Sequence, residues 1–268
     1  MPEAYSSPWV HMRNRSGSKI AGLTSIAVSL GAVMRVRSAV KRRATISAII
    51  DNALPVHSKW WREHAKEEGE LLYVALGDSA AQGIGASAPH FSYVGVIADE
   101  VRLLTGRTVR VVNLSVSGAT VATAVTDQLP TFRKLSPDLV TVAIGANDIV
   151  ALDPAPFKSR IRELFGALPA HAIVADLPYF YLPWNEKKVA VANRIVRSAA
   201  AECGLTVAPL HQTMKRQGFG GMLTQFAIDL FHPNDHGYRV WASAFLPSVT
   251  VTIAERFPTP PATHVTAG

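Results

Sequence analysis

From residue 71 onward the chain alternates between two hydrophobic periods. Short apolar runs rich in Val, Ile and Leu occupy 71–76, 108–114, 138–144, 171–176 and 205–209, each of strand length. Between them, segments near 91–105, 119–135, 155–168 and 185–203 space their apolar residues at helical intervals, and a last such segment covers 236–256. Strand and helix in regular alternation predict a mostly parallel sheet covered on both faces. Crossovers in such sheets are right-handed. No internal repeat interrupts the pattern.

Upstream the pattern changes. Residues 51–70, with Trp60 and Trp61 followed by Glu63, Lys66, Glu67, Glu68 and Glu70, predict a connecting helix. Residues 1–19 are polar and rich in Pro, Gly and Ser, which predicts disorder. Ile20 to Met34 is an uncharged run of 15 residues, followed by Arg35, Arg37, Lys41, Arg42 and Arg43. The run is short for a span, which needs roughly 20 residues. Three readings fit it: a segment on an anionic membrane surface through residues 20–43, a helix packed on the domain, or an export signal or signal anchor. The cations directly after the run disfavour translocation, so the expected location is cytoplasmic or peripheral at the cytoplasmic membrane face. The expected organisation is a basic leader and connecting helices at 1–70, an α/β domain at 71–256, and a Pro-rich disordered tail at 257–268.

Charge and composition narrow the function. The formal net charge is +7, but residues 1–43 hold eight Lys and Arg against one acid, so the rest of the chain balances. A neutral body argues against a nucleic-acid-binding face, and nucleic acid is not an expected partner. A single cysteine, Cys203, excludes an internal disulfide and a cysteine zinc cluster, and its Ala-Glu-Cys-Gly setting reads as a helix end. No metal or other cofactor is implied.

Ligands of an open α/β sheet bind at the carboxyl ends of the strands. After the first strand comes Gly77-Asp78-Ser79, after the second Ser117-Gly118, and after the third Gly145-Ala146-Asn147-Asp148. Ahead of the last helix stands Asp229-Leu-Phe-His232-Pro233. A serine hydroxyl needs a base, and His232 titrates near neutrality. Asp229, three residues earlier, is placed to hold the imidazole tautomer. The Ser79 and Gly118 backbone N–H groups and the Asn147 amide offer three donors for an oxyanion. Taken alone, each block has a bland reading: Gly-Asp-Ser is an ordinary turn, Asp-x-x-His-Pro a helix cap, and Asp78 and Asp148 brace turns. His211 and His236 read as surface or capping residues. Gly83-Ile-Gly85-Ala-Ser-Ala88 fits a dinucleotide fingerprint loosely, but Pro89 follows it and the second strand ends in Asn113 rather than an acid.

These four blocks, in this order, resemble the SGNH hydrolases, the GDSL-like esterase and lipase superfamily, over residues 71–256. Gly-Asp-Ser79 with Gly83 beyond it matches the nucleophile block, although Ala80 replaces the usual leucine. Ser117-Gly118 matches the oxyanion glycine, Gly145–Asp148 the asparagine block, and Asp229–Pro233 the acid and base. The resemblance implies a three-layer α/β/α sandwich with a five-stranded parallel, flavodoxin-like sheet. It implies a serine esterase acting through Ser79, His232 and Asp229 and an acyl-enzyme, with Ser79, Gly118 and Asn147 as the oxyanion hole. Lipid-type or small acyl esters are the expected substrates. The alternatives are a carbohydrate O-acetyl esterase and, in a different class, a silent membrane-tethered binding domain. Tyr179, Phe180, Tyr181 and Trp184, after the fourth strand, are candidates for a substrate wall or for core packing.

Overall fold

Leu71, Tyr73 and Ala75 face one buried core and Val74 and Leu76 face another, which is the period of two expected of a strand buried on both sides. A computed structural model describes residues 52–258. The leader at 20–43 and the end of the tail lie outside the described residues. The strands are β1 (Leu71–Gly77), β2 (Val109–Asn113), β3 (Leu139–Ala143), β4 (Ile173–Ala175) and β5 (Thr206–Ala208). They form one parallel sheet in the order β2-β1-β3-β4-β5. The chain runs from β1 outward to β2, then crosses back over β1 to β3. The crevice between the ends of β1 and β3 is therefore the switch point where such sheets bind ligands.

Helices cover both faces. Residues 52–64 form α1, and α2 (Ser79–Gln82), α3 (Tyr93–Thr105), α4 (Val121–Thr123) and α5 (Leu129–Phe132) follow. A π-helical turn at Ala124–Gln128 joins α4 to α5. Then come α6 (Pro154–Gly166), α7 (Pro183–Glu202), α8 (Leu210–Lys215), α9 (Gly218–Thr224) and α10 (Asp235–Arg256). Residues of α3, α8 and α10 pack on the face of Tyr73 and Ala75, while those of α4 to α7 pack on the face of Val74 and Leu76. The result is a three-layer α/β/α sandwich.

Helix α1 belongs to this body rather than to a detached connector. Trp61 is 3% exposed within the first core, and the Trp61 Nε1–H donates to the Gln82 carbonyl at 3.1 Å. Cys203 caps the end of α7. Phe219-Gly-Gly-Met222, whose paired glycines ahead of the base-bearing block predict a loop, is helical in α9. Among the described residues no helix is long and apolar enough to cross a membrane.

Candidate active site

Ser79 is the first residue of α2, directly after β1. Asp78 caps that helix, its Oδ1 accepting from the Ala80 N–H at 2.9 Å. Gly83 ends the helix after one turn, in the left-handed region at φ 81°. The strand end is fastened from the side by Gln128, on the π-helical turn. Its Oε1 accepts from the Gly77 N–H at 3.0 Å and its Nε2 donates to the Gly77 carbonyl at 2.8 Å. The serine hydroxyl thus projects from backbone held on two sides.

The second and third blocks are tied to the first by side chains. Asn113 Nδ2 donates to the Ala81 carbonyl at 2.8 Å and Gln82 Nε2 to the Ser115 carbonyl at 2.8 Å, while the Ser117 hydroxyl donates to Gln82 Oε1 at 3.1 Å. These bonds hold the loop that ends at Gly118, whose φ of 78° suits glycine. Asn147 Nδ2 donates one hydrogen to the Ala119 carbonyl at 2.9 Å, which leaves its second free. Asp148 Oδ2 accepts from the Val121 N–H at 3.1 Å, so this aspartate braces the start of α4.

The fourth block closes on the serine from the far end of the chain. His232 Nε2 lies 2.9 Å from Ser79 Oγ, and His232 Nδ1 lies 2.6 Å from Asp229 Oδ2. The other carboxylate oxygen of Asp229 accepts from the Phe231 and His232 N–H groups, each at 3.0 Å. The loop is clamped at its neck by the Ala227 N–H donating to the His232 carbonyl at 2.8 Å and by Asn234, whose Nδ2 donates to the Thr224 and Phe226 carbonyls. Gly85 makes the approach possible. A Cβ there would meet the Pro233 carbonyl oxygen at 2.5 Å and His232 Cβ at 2.9 Å. The glycines that loosely match a nucleotide fingerprint therefore serve helix termination and close packing.

Burial and hydrogen bonding act oppositely on the two aspartates. Burial pushes the Asp229 carboxyl up, but hydrogen bonds from His232 and the two backbone amides outweigh it and hold the group below the ordinary range. Asp78 is raised from 3.8 to about 6, chiefly by burial, against the Ala80 amide and nearby His232. Its contribution to stability is fully present below about pH 3.8 and is lost as pH rises through about 6, a fall of about 3 kcal/mol. Asp78→Asn keeps the acceptor for Ala80 and does not titrate. Its urea midpoint is therefore expected to exceed that of the wild type by more at about pH 7.5 than at about pH 4.

A cavity of about 380 Å³ adjoins Ser79, Asn147 and His232. Its walls are largely apolar and include Tyr179, Phe180, Tyr181, Met222, Leu223 and Phe226. Trp184 does not line it and is 66% exposed. His211 is half-buried behind this wall, with Nε2 2.8 Å from Glu186 Oε2, and Glu186 Oε1 accepts from the Phe180 N–H at 2.7 Å. His236 is exposed. Gln128, Gln82 and Asn234 were not singled out by sequence, and the segment at Phe219 and Met222, read as a loop, supplies part of the cavity wall from a helix. Among the described residues no group of His, Cys, Asp and Glu side chains is arranged to hold a metal ion.

The family model described as GDSL-like Lipase/Acylhydrolase matches residues 75–240, a span that takes in all four blocks. A search of curated proteins returns no match. Among solved structures, the chain is similar to LAE5, an alpha/beta hydrolase from the metagenome of Lake Arreo, Spain, at 24% identity over 68% of this chain and 96% of that one, with a TM-score of 0.56. It is also similar to Axe2, an acetylxylan esterase from Geobacillus stearothermophilus (21% identity, 67% and 94% covered, TM-score 0.52). A third similar structure is TesA (22% identity, 68% and 99% covered, TM-score 0.57). At these identities the likeness is one of fold.

Proposed function

Because the chain belongs to the GDSL-like lipase/acylhydrolase family, serine hydrolases that cleave esters, we propose that it hydrolyses carboxylic esters of lipid type through Ser79, His232 and Asp229. The observation that carries this reading is the unbroken line of hydrogen bonds from Ser79 Oγ through both nitrogens of His232 to Asp229, at 2.9 and 2.6 Å.

In this mechanism Ser79 Oγ attacks the ester carbonyl as His232 Nε2 takes its proton. The new C–O bond places negative charge on the carbonyl oxygen, which the Ser79 and Gly118 N–H groups and the free hydrogen of Asn147 Nδ2 receive. Asp229 keeps the second proton on Nδ1 and stabilises the imidazolium. Collapse of the intermediate breaks the bond to the alcohol, which leaves with the proton from Nε2. Water then repeats the sequence on the acyl-enzyme, releasing the acid and restoring Ser79. Every proton is returned, so the cycle needs no cofactor.

The cavity supports an acyl chain over an acetyl group. Its walls beside the serine are apolar, and its volume lies within the range of small-molecule sites. Each methylene buried there stabilises binding by about 0.8 kcal/mol. With p-nitrophenyl esters from acetate to palmitate, kcat/KM is expected to rise about 10- to 1,000-fold from acetate to octanoate. A maximum at acetate, joined by release of acetate from acetylated glycans, would overturn the lipid reading in favour of an O-acetyl esterase.

A further inference from the structure

The mouth of the cavity is apolar where a protein surface is ordinarily polar. Leu182, Met222, Leu223, Leu230 and Phe231 all line the cavity, yet they are 39–75% exposed. Trp184, Phe219 and Ile228 extend the same segments outward without lining the cavity, and are 66%, 70% and 55% exposed. On α9, Phe219, Met222 and Leu223 stand at i, i+3 and i+4, which is one face of the helix. Isolated surface leucines need no explanation, but apolar residues gathered from three segments around one opening do.

Backbone conformation supplies an independent observation. Among the described residues, Tyr181 and Leu230 are the non-glycine residues with positive φ, at 60° and 57°. Such a conformation costs about 1–2 kcal/mol. At Leu230 the cost is not recovered by burial within the chain, because the side chain it presents is 75% exposed. The turn is held by Asp229 Oδ1, which accepts from the Phe231 and His232 N–H groups, and it leaves a leucine pointing outward at the rim of the site.

Charge selects the partner of such a rim. The rim-bearing segments 182–188 and 214–231 carry Lys187, Lys188, Lys215 and Arg216, all exposed and none in an ion pair among the described residues. Their two carboxylates, Glu186 and Asp229, are each bonded to a histidine. A second copy docking across a two-fold axis would set these cations against their own images. Anionic headgroups around an apolar interior match both features of the rim.

We propose that this rim docks the protein on an anionic lipid surface, so that the acyl chain passes from lipid into the cavity without crossing water. The passage of substrate rests on the esterase reading above, and the docking does not.

The test uses the full chain and vesicles of phosphatidylcholine alone or mixed with phosphatidylserine. Trp184 fluorescence, isolated by subtraction of Trp184→Phe, is expected to be quenched by brominated lipids in the mixed vesicles. The double variant Phe219→Ser/Ile228→Ser is expected to hydrolyse soluble p-nitrophenyl butyrate within about twofold of the wild type. Its binding to mixed vesicles should fall about 10- to 100-fold, and hydrolysis of vesicle-borne ester should fall with it. Unquenched Trp184 would overturn the proposal, as would vesicle binding unchanged in the double variant, which would assign it to the leader. A dimer that the double variant dissolves, without effect on vesicles, would assign the rim to a second copy. If the double variant loses vesicle binding while the wild type cleaves no soluble ester, the docking stands and the esterase reading fails.

Discussion

Ser79→Ala is expected to lower kcat for p-nitrophenyl butyrate by about a million-fold, while the fold persists. Among the described residues the Ser79 hydroxyl is bonded to the His232 side chain alone, so stability should change by only about 1 kcal/mol. Removing the oxygen removes the covalent route altogether, leaving only what the oxyanion donors and the cavity contribute to direct attack by water. Such remnants amount to roughly 1,000- to 10,000-fold over the uncatalysed reaction. Steady-state rates and the mass added by a fluorophosphonate check the expectation together. The wild type should gain one label and the variant none. A variant within tenfold of the wild type, still labelled, would move the nucleophile elsewhere.

The second large effect belongs to Asp229→Asn, for which kcat is expected to fall about 10,000-fold with an unfolding midpoint close to that of the wild type. The reason lies in the two oxygens of Asp229. Oδ1 accepts from the backbone N–H groups of Phe231 and His232, and an asparagine must offer its own oxygen there, because an NH₂ would face two donors. Its NH₂ is then turned toward His232 Nδ1. That forces the proton from Nδ1 to Nε2, and Nε2 can no longer accept from Ser79. Asp229→Ala, which imposes no tautomer, should retain more activity than the asparagine variant. Rates of the two variants side by side, with nitrogen-detected spectra of the imidazole, distinguish the wrong tautomer from simple loss of orientation.

The sheet was legible because its strands are buried on both faces, so apolar runs such as Leu71–Leu76 and Leu139–Ile144 stand out from the helical period around them. The four blocks were legible because, on the proposed assignment, the chemistry needs particular side chains at strand ends and ahead of α10. Gln128 and Gln82 left no such mark. Each is a single amide within a helical stretch, and what makes it useful is the backbone group it meets, 51 residues away for Gln128. Helix α9 was hidden by Gly218, Gly220 and Gly221, which disfavour helix by about 1 kcal/mol each. Tertiary packing explains at least one of them, since a Cβ at Gly221 would meet the Tyr181 hydroxyl at 2.6 Å. The aromatic run shows the same limit. Pro183 opens α7, and beyond that point Trp184 no longer follows Tyr179 to Tyr181 along the wall.

The contact of Gly85 with the His232–Pro233 segment gives the site an order of assembly. A chain emerging from the ribosome completes β1 to β5 while it still lacks residues 229–232. At that stage it holds a serine and the donors around it but no base. The base arrives with α10, whose Tyr238 hydroxyl bonds the Ile84 carbonyl at 2.6 Å beside the serine turn, and the docking of that last helix brings the two halves together. On the proposed assignment, hydrolytic competence therefore comes only after residues 229–256 have been added, well after the last strand of the sheet. A truncated product ending before α10 would be inert toward esters, however complete its sheet.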